Sequence, residues 1–217
     1  MKKDCLNKEL LLAASYLVCS CIFLFPNGSK AQQVNTDTFK SFKDWCESKD
    51  SLNEGIRHTI DLLLLKVKTS DCEFASKELS SYRSLYLDKS GISNLLPLSS
   101  LTNLTRLNLT KNQIVDIKPL EKLTKITELG ISDNRISDIS PLRNMKDLTT
   151  LSAKRNQISD VRPLQTLIKL QYLFLDGNKI TDIMPLRSLK NLGFASFTRN
   201  PIINKACPFE NKDFCIF

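Results

Sequence analysis

The sequence predicts an α/β solenoid: a stack of short coils, one strand per coil, closed by caps at both ends. Three observations predict it. A 22-residue pattern repeats without a slip from Leu101 to Ser188. Within each copy, apolar residues alternate with polar ones, the period-2 mark of a strand with one buried face. Cysteines flank the repeats on both sides, Cys46 and Cys72 before them and Cys207 and Cys215 after them. A fixed period of this length marks units that cannot fold alone and must stack to share a core.

The first element is a targeting segment. Lys2, Lys3 and Lys8 make a basic start, and Leu10 to Pro26 is almost wholly apolar. Ser29-Lys30-Ala31 then offers small residues where signal peptidase reads. Residues 1–31 therefore read as a secretory signal, cleaved after Ala31. A transmembrane anchor is disfavoured, because the apolar run of about 16 residues falls short of the roughly 20 that span a bilayer. Lipid attachment at Cys19 or Cys21 is disfavoured too, since the apolar Ile22 to Phe25 still follow. The mature form is expected not to span a membrane.

The 217 residues include 31 basic and 23 acidic ones, a formal net charge of +8. Removing residues 1–31 leaves 27 and 21, a net +6. The basic residues are scattered along the chain and no aromatic-and-basic RNA motif occurs, which argues against nucleic acid as a partner.

Residues 32–38 read as a linker and 39–78 as a helical cap. Phe39, Phe42, Trp45 and Cys46 have helical spacing. Ser51-Leu52-Asn53-Glu54 reads as a capping box opening a second helix. Ile56, Ile60, Leu63, Leu64 and Val67 line that helix's inner face. A third short helix is expected from Ser70 to Leu79. Once the signal is removed, four cysteines remain. An even count in an exported chain indicates disulfides. Three pairings exist, and proximity in sequence favours Cys46–Cys72 with Cys207–Cys215. Metal ligation is disfavoured, because no CxxC occurs and His58 is the only histidine.

The repeats occupy 79–206. Their strand core recurs as Leu104-Leu107-Leu109, Ile126-Leu129-Ile131, Leu148-Leu151-Ala153 and Leu170-Leu173-Leu175. A looser copy precedes these at Leu79, and a degenerate one follows at Leu189. Next comes a column of asparagines: Asn112, Asn134, Asn156, Asn178 and Asn200. Asn carries both donor and acceptor, so stacked at one turn it can satisfy the backbone of successive coils. Isoleucine pairs such as Ile136/Ile139 point inward on the return path. Asp116, Asp138, Asp160 and Asp182 sit between them, each three residues before a Pro-Leu pair. Asp caps a helical turn and Pro pre-sets its φ. Calcium is the weaker reading of this column, because ligands must converge on one ion and not lie one per coil.

The pattern LxxLxLxxNxIxDIxPLxx is similar to the 22-residue leucine-rich repeat of bacterial internalins. That resemblance implies a horseshoe with a concave parallel β-sheet and convex 3₁₀ or irregular turns. It covers about residues 79–206 and speaks to fold far more than to function. The chain also resembles exported leucine-rich-repeat proteins of cyanobacteria. The shared residues are Phe42-x-x-Trp45-Cys46, then Leu63-Leu64 with Thr69-x-Asp71-Cys72, and Asn200-Pro201-Ile202 with Cys207-Pro208 and Cys215.

The last element, 207–217, reads as a small disulfide-closed cap, with Phe209, Phe214 and Phe217 over the last coil's core.

No GxSxG, HExxH or glycine-rich phosphate loop occurs, and His58 stands alone. The chain is thus expected to be no enzyme and to need no cofactor. Binding is better supported. Counting along the repeats places Tyr172, Phe174 and Phe194 on adjacent strands of the concave face, with Lys154, Arg155 and Arg199 as a basic rim. Grouped aromatics on a surface are typical of interface anchors. The opposing expectation is that the C-terminal cap folds over Phe194, and the N-terminal cap over Tyr86. Asn103-Leu-Thr105 and Asn108-Leu-Thr110 fit a glycosylation pattern, but repeat composition explains both. The favoured reading is a secreted or periplasmic monomer that binds a protein, with a glycan as the other ligand class. The alternative is a structural, self-associating envelope component.

Overall fold

A computed structural model describes residues 38–209 and 215–217. The expected signal 1–31, linker residues 32–37 and Phe214 lie outside the described residues.

Helix α1 (Phe42–Glu47) opens on a capping box. The Ser41 hydroxyl accepts from the Asp44 amide at 3.3 Å, while the Asp44 carboxylate accepts from the Lys40 and Ser41 amides, both at 2.8 Å. Phe42, Trp45 and Cys46 are buried. Phe39 precedes the helix and meets Trp45 edge-on, centroids 4.7 Å apart.

Helix α2 (Glu54–Val67) is capped by Asn53, not by Ser51. Asn53 Oδ1 accepts from the Ile56 amide at 3.1 Å. Ser51 is instead drawn into a 3₁₀ turn, Lys49–Ser51, with its hydroxyl donating to Ser48 O. Ile56, Ile60 and Leu63 face the core as expected; Leu64 and Val67 are half-buried.

Helix α3 (Cys72–Ser81) is capped by Asp71, whose Oδ1 accepts from the Glu73 and Phe74 amides. A Cys46–Cys72 disulfide ties α1 to α3.

The cap sits tightly on the first coil. Buried Thr59 donates to Asn94 O at 2.7 Å. A Cβ built on Gly55 would lie 2.8 Å from Ser93 Oγ, so a side chain there would require that hydroxyl to turn away.

The repeats then form strands β1 (Ser84–Tyr86), β2 (Arg106–Asn108), β3 (Glu128–Gly130), β4 (Thr150–Ser152), β5 (Tyr172–Phe174) and β6 (Phe194–Ser196). All pair in parallel, in sequence order, with Leu107, Leu129, Leu151, Leu173 and Ala195 in one register row. These central residues are at most 2% exposed, and the core runs unbroken from Phe42 to Ile202.

Each return path holds a five-residue 3₁₀ turn with proline near its start, for example Ser140–Asn144. Asp116, Asp138, Asp160 and Asp182 each accept from the amide two residues on, at 2.7–2.9 Å. The aspartate column thus serves the turns. No metal-sized cluster of acidic, His or Cys side chains occurs among the described residues.

The asparagines form a ladder. Asn156 donates to Ile131 O of the preceding coil at 2.9 Å and to Ala153 O of its own at 3.2 Å. Its Oδ1 accepts from the Ile136 amide at 3.0 Å. Asn112, Asn134, Asn178 and Asn200 repeat this geometry. The residue before each asparagine adopts positive φ: Lys111, Asp133, Arg155, Gly177 and Arg199, preceded by Lys89 in the first coil. Four of those five residues are not glycine.

The chain ends in a strand that repeat counting does not reach. β7 (Cys215–Ile216) pairs in parallel with β6, opposite Ala195 and Ser196. Phe197 N donates to Ile216 O at 2.7 Å, and Phe217 stacks on Phe197 at 6.1 Å. The Cys207–Cys215 disulfide closes this return. The C-terminal cap is therefore a seventh strand of the sheet as well as a loop.

Candidate functional site

Sheet residues alternate, so the first and third residues of each strand share the face opposite the core. Along most of that face these are small or polar, as with Asn108, Gly130, Thr150 and Ser152. At its C-terminal end the character changes. Tyr172 sits beside Phe194 in register, and Phe174 meets Phe194 at 5.4 Å between centroids. Tyr172 is 48% exposed, while Phe174 and Phe194 are half-buried. Ile216 continues the row of Phe174 and Ser196 and is 43% exposed.

The sequence reading missed Ile216. A signal existed: Cys215-Ile216-Phe217 repeats the inward–outward–inward order of the strands, but 20 residues after its neighbour and not 22. The C-terminal cap lies beside β6 and leaves Phe194 half-open. Tyr86 is 53% exposed and is not covered by the N-terminal cap, which packs against the core and turns instead.

Lys154 is brought to the patch, its ammonium 4.7 Å from the Phe174 centroid. A cation over an aromatic face is attracted by the ring quadrupole. Asp176 holds it there, with Oδ2 2.9 Å from Lys154 Nζ. That contact lacks hydrogen-bond geometry, so Oδ2 is balanced by charge. Asp176 Oδ1 accepts from the Ser196 and Thr198 hydroxyls and the Thr198 amide. Burial pushes the Asp176 carboxyl up, but hydrogen bonds from Ser196 and Thr198 and the charge of Lys154 outweigh it and hold the pKa at about 2.

A depressed folded pKa contributes stability above the unfolded value of about 3.9, lost as pH falls through about 2. Asp176→Asn should therefore flatten the acid limb. Between pH 5 and pH 2, the wild type should lose about 2 kcal/mol more than the variant. Urea titrations at the two pH values measure this, and equal losses would refute it.

Arg155 and Arg199 stand one residue further, in the positive-φ column. Arg155 forms a two-pronged ion pair with Asp133 of the preceding coil. That guanidinium holds the Asp133 carboxyl below its ordinary range. Arg199 is exposed and meets no carboxylate among the described residues. The structure thus gathers Tyr172, Phe174, Phe194 and Lys154, and sets Arg155 and Arg199 along the adjoining edge. On the turn side, a groove of about 310 Å³ is lined by Phe39, Trp45, Leu96 and Pro119 together with the charged Asp116, Lys118, Glu121 and Lys122.

Parallel three-residue strands, 3₁₀ returns and an asparagine ladder define a leucine-rich-repeat solenoid. Residues 102–144, 124–166 and 146–191 match the family model for leucine-rich repeats, two copies at a time. Solved internalin structures are among those the chain is similar to. It is similar to internalin C2 of Listeria monocytogenes at 41% identity, covering 57% of this chain and 55% of that one, with a TM-score of 0.56. It is also similar to the internalin inlF of Listeria monocytogenes at 28% identity, over 67% and 50% of the two chains, TM-score 0.53. A leucine-rich-repeat protein of Leptospira interrogans aligns at 28% identity over 59% and 34%, TM-score 0.56. The chain spans about half the length of the two internalins. No curated protein matches it in sequence.

Proposed function

We propose that this chain is an exported, non-catalytic module that binds a protein through the concave sheet face. A leucine-rich-repeat solenoid is a protein-interaction scaffold, and internalin-type repeats are generally non-catalytic. The observation that carries the proposal is the cluster of Tyr172, Phe174, Phe194 and Ile216 on a sheet face that is otherwise mostly small or polar, Tyr86 at its far end apart. Aromatic anchors packed beside one another commonly supply most of an interface's binding energy. Export is supported by the basic-then-apolar start and by two disulfides, which persist in oxidising compartments.

The test compares oxidised residues 32–217 with the Tyr172→Ala/Phe174→Ala double variant in pull-downs from exoproteome and envelope fractions. Affinity for a captured protein should fall at least about 100-fold, or about 2.7 kcal/mol. Circular dichroism should stay unchanged, because both side chains lie outside the core. Equal capture by both proteins would remove the patch from consideration and favour a self-associating envelope component. A captured polysaccharide would move the reading to glycans.

A further inference from the structure

Charge is scattered along the sequence but not across the fold. Residues 39–78 carry 7 basic and 8 acidic side chains, whereas residues 79–206 carry 19 and 10. The cap is close to neutral and the solenoid is strongly basic. The 22-residue period then turns scatter into rows. Lys89, Lys111 and Arg199 belong to the positive-φ column at the downstream edge of the sheet. Arg135 and Lys179 follow the ladder asparagines of the third and fifth coils along that edge. All five are exposed, and none makes an ion pair with a carboxylate among the described residues. Of the carboxylates on that edge, Asp133 is engaged with Arg155 and Asp176 is buried under Lys154, while Asp88, beside Lys89 in the first coil, is exposed.

The positive-φ turn explains why the cations form an edge. Each such residue donates its amide to the next coil, as Lys111 N does to Ser132 O at 2.9 Å and Arg155 N to Asp176 O at 2.7 Å. The backbone is thereby locked while the side chain remains in solvent. Uncompensated like charges repel one another and repel a basic partner. They also steer an acidic one, most strongly when aligned along one edge.

We infer that the partner of the sheet face is an acidic polypeptide, with an apolar anchor on the aromatic patch and carboxylates along the Lys179–Arg199 edge. This rests on the sheet-face reading proposed above. Charge complementarity selects the class, and the aromatic patch beside it favours a polypeptide over a purely ionic polymer.

The test is selection from a random 12-residue phage-displayed peptide library on oxidised 32–217, in about 50 mM salt to limit screening. Enriched peptides should be net acidic and contain an aromatic or large aliphatic residue. Lys179→Glu/Arg199→Glu should weaken a synthetic copy of the best peptide at least tenfold, and so should Tyr172→Ala/Phe174→Ala. Raising salt tenfold should do the same to the wild type. Neutral or basic peptides that need Tyr172 and Phe174 but ignore the charge reversal would overturn the acidic partner and leave the sheet-face reading standing. Acidic peptides lost on charge reversal but indifferent to the aromatic variant, and displaced by dextran sulfate, would overturn the polypeptide in favour of a general polyanion site. No enrichment dependent on either pair would overturn both readings.

Discussion

Asn156→Ala is expected to destabilise the solenoid by about 2–4 kcal/mol, a large loss for one substitution. The side chain is 8% exposed and spans two coils. Its loss leaves the Ile136 amide without its acceptor, in the interior, where an unmade hydrogen bond costs about 1–3 kcal/mol. The Ile131 and Ala153 carbonyls each lose one of two asparagine donors and keep the other, from Asn134 and Asn178. Because a repeat is stable only through its neighbours, damage between the third and fourth coils also uncouples the two halves. Urea denaturation followed by circular dichroism should show the drop, while Gln157→Ala, one residue along and exposed, should stay within about 0.5 kcal/mol. A loss under about 1 kcal/mol at Asn156 would mean that water replaces the side chain, and that the ladder follows from the coil geometry without stabilising it.

The ladder also shows which parts of the fold were legible in the sequence. A strict period gives every column its own physical constraint, so inward leucines, ladder asparagines and turn-capping aspartates could each be named in advance. The aromatic cluster was legible for the same reason, since 22-residue counting sets Tyr172 beside Phe194. Features outside the period were hidden. β7 returns after 20 residues through a disulfide loop. Ile216, which extends the patch, was hidden with it. The positive-φ column was hidden because Lys, Asp and Arg occupy it in every coil but that of Gly177, and none of them announces a left-handed turn as glycine does. Asp176 resembled any strand-end acid. Its role depends on Ser196, Thr198 and Lys154 converging on it from neighbouring coils, and that is a matter of geometry. At the N-terminal cap, the helix starts two residues later than the Ser51 capping box implied. Asn53 prevails over Ser51 because its extended backbone directs Oδ1 at the Ile56 amide.

Removing the Cys46–Cys72 bridge should unfold the first helix while leaving the repeats standing. The bridge closes a loop with a sequence separation of 26. By loop-closure entropy this stabilises the cap by about 3.5 kcal/mol, against about 2.5 kcal/mol for Cys207–Cys215 with its separation of 8. Helix α1 depends on it heavily. Six residues are far too few to hold a helix by propensity. Its Trp45 indole N–H is also buried without an acceptor among the described residues, which costs about 1–3 kcal/mol more. What opposes these costs is the burial of Phe42 and Trp45 and the tether to α3. Trp45 is the only tryptophan, so its fluorescence reports on the cap alone. In Cys46→Ala/Cys72→Ala, emission should shift to the red, as for a solvated indole. It should also melt well before the circular dichroism of the repeats, whereas in the oxidised wild type the two transitions should coincide. Cys207→Ala/Cys215→Ala should leave the tryptophan signal unmoved and free only β7. Coincident melting in the Cys46/Cys72 variant, with unshifted emission, would mean that packing of α2 and α3 on the first coil suffices to seat α1. The bridge would then destabilise the unfolded state less than its loop length implies.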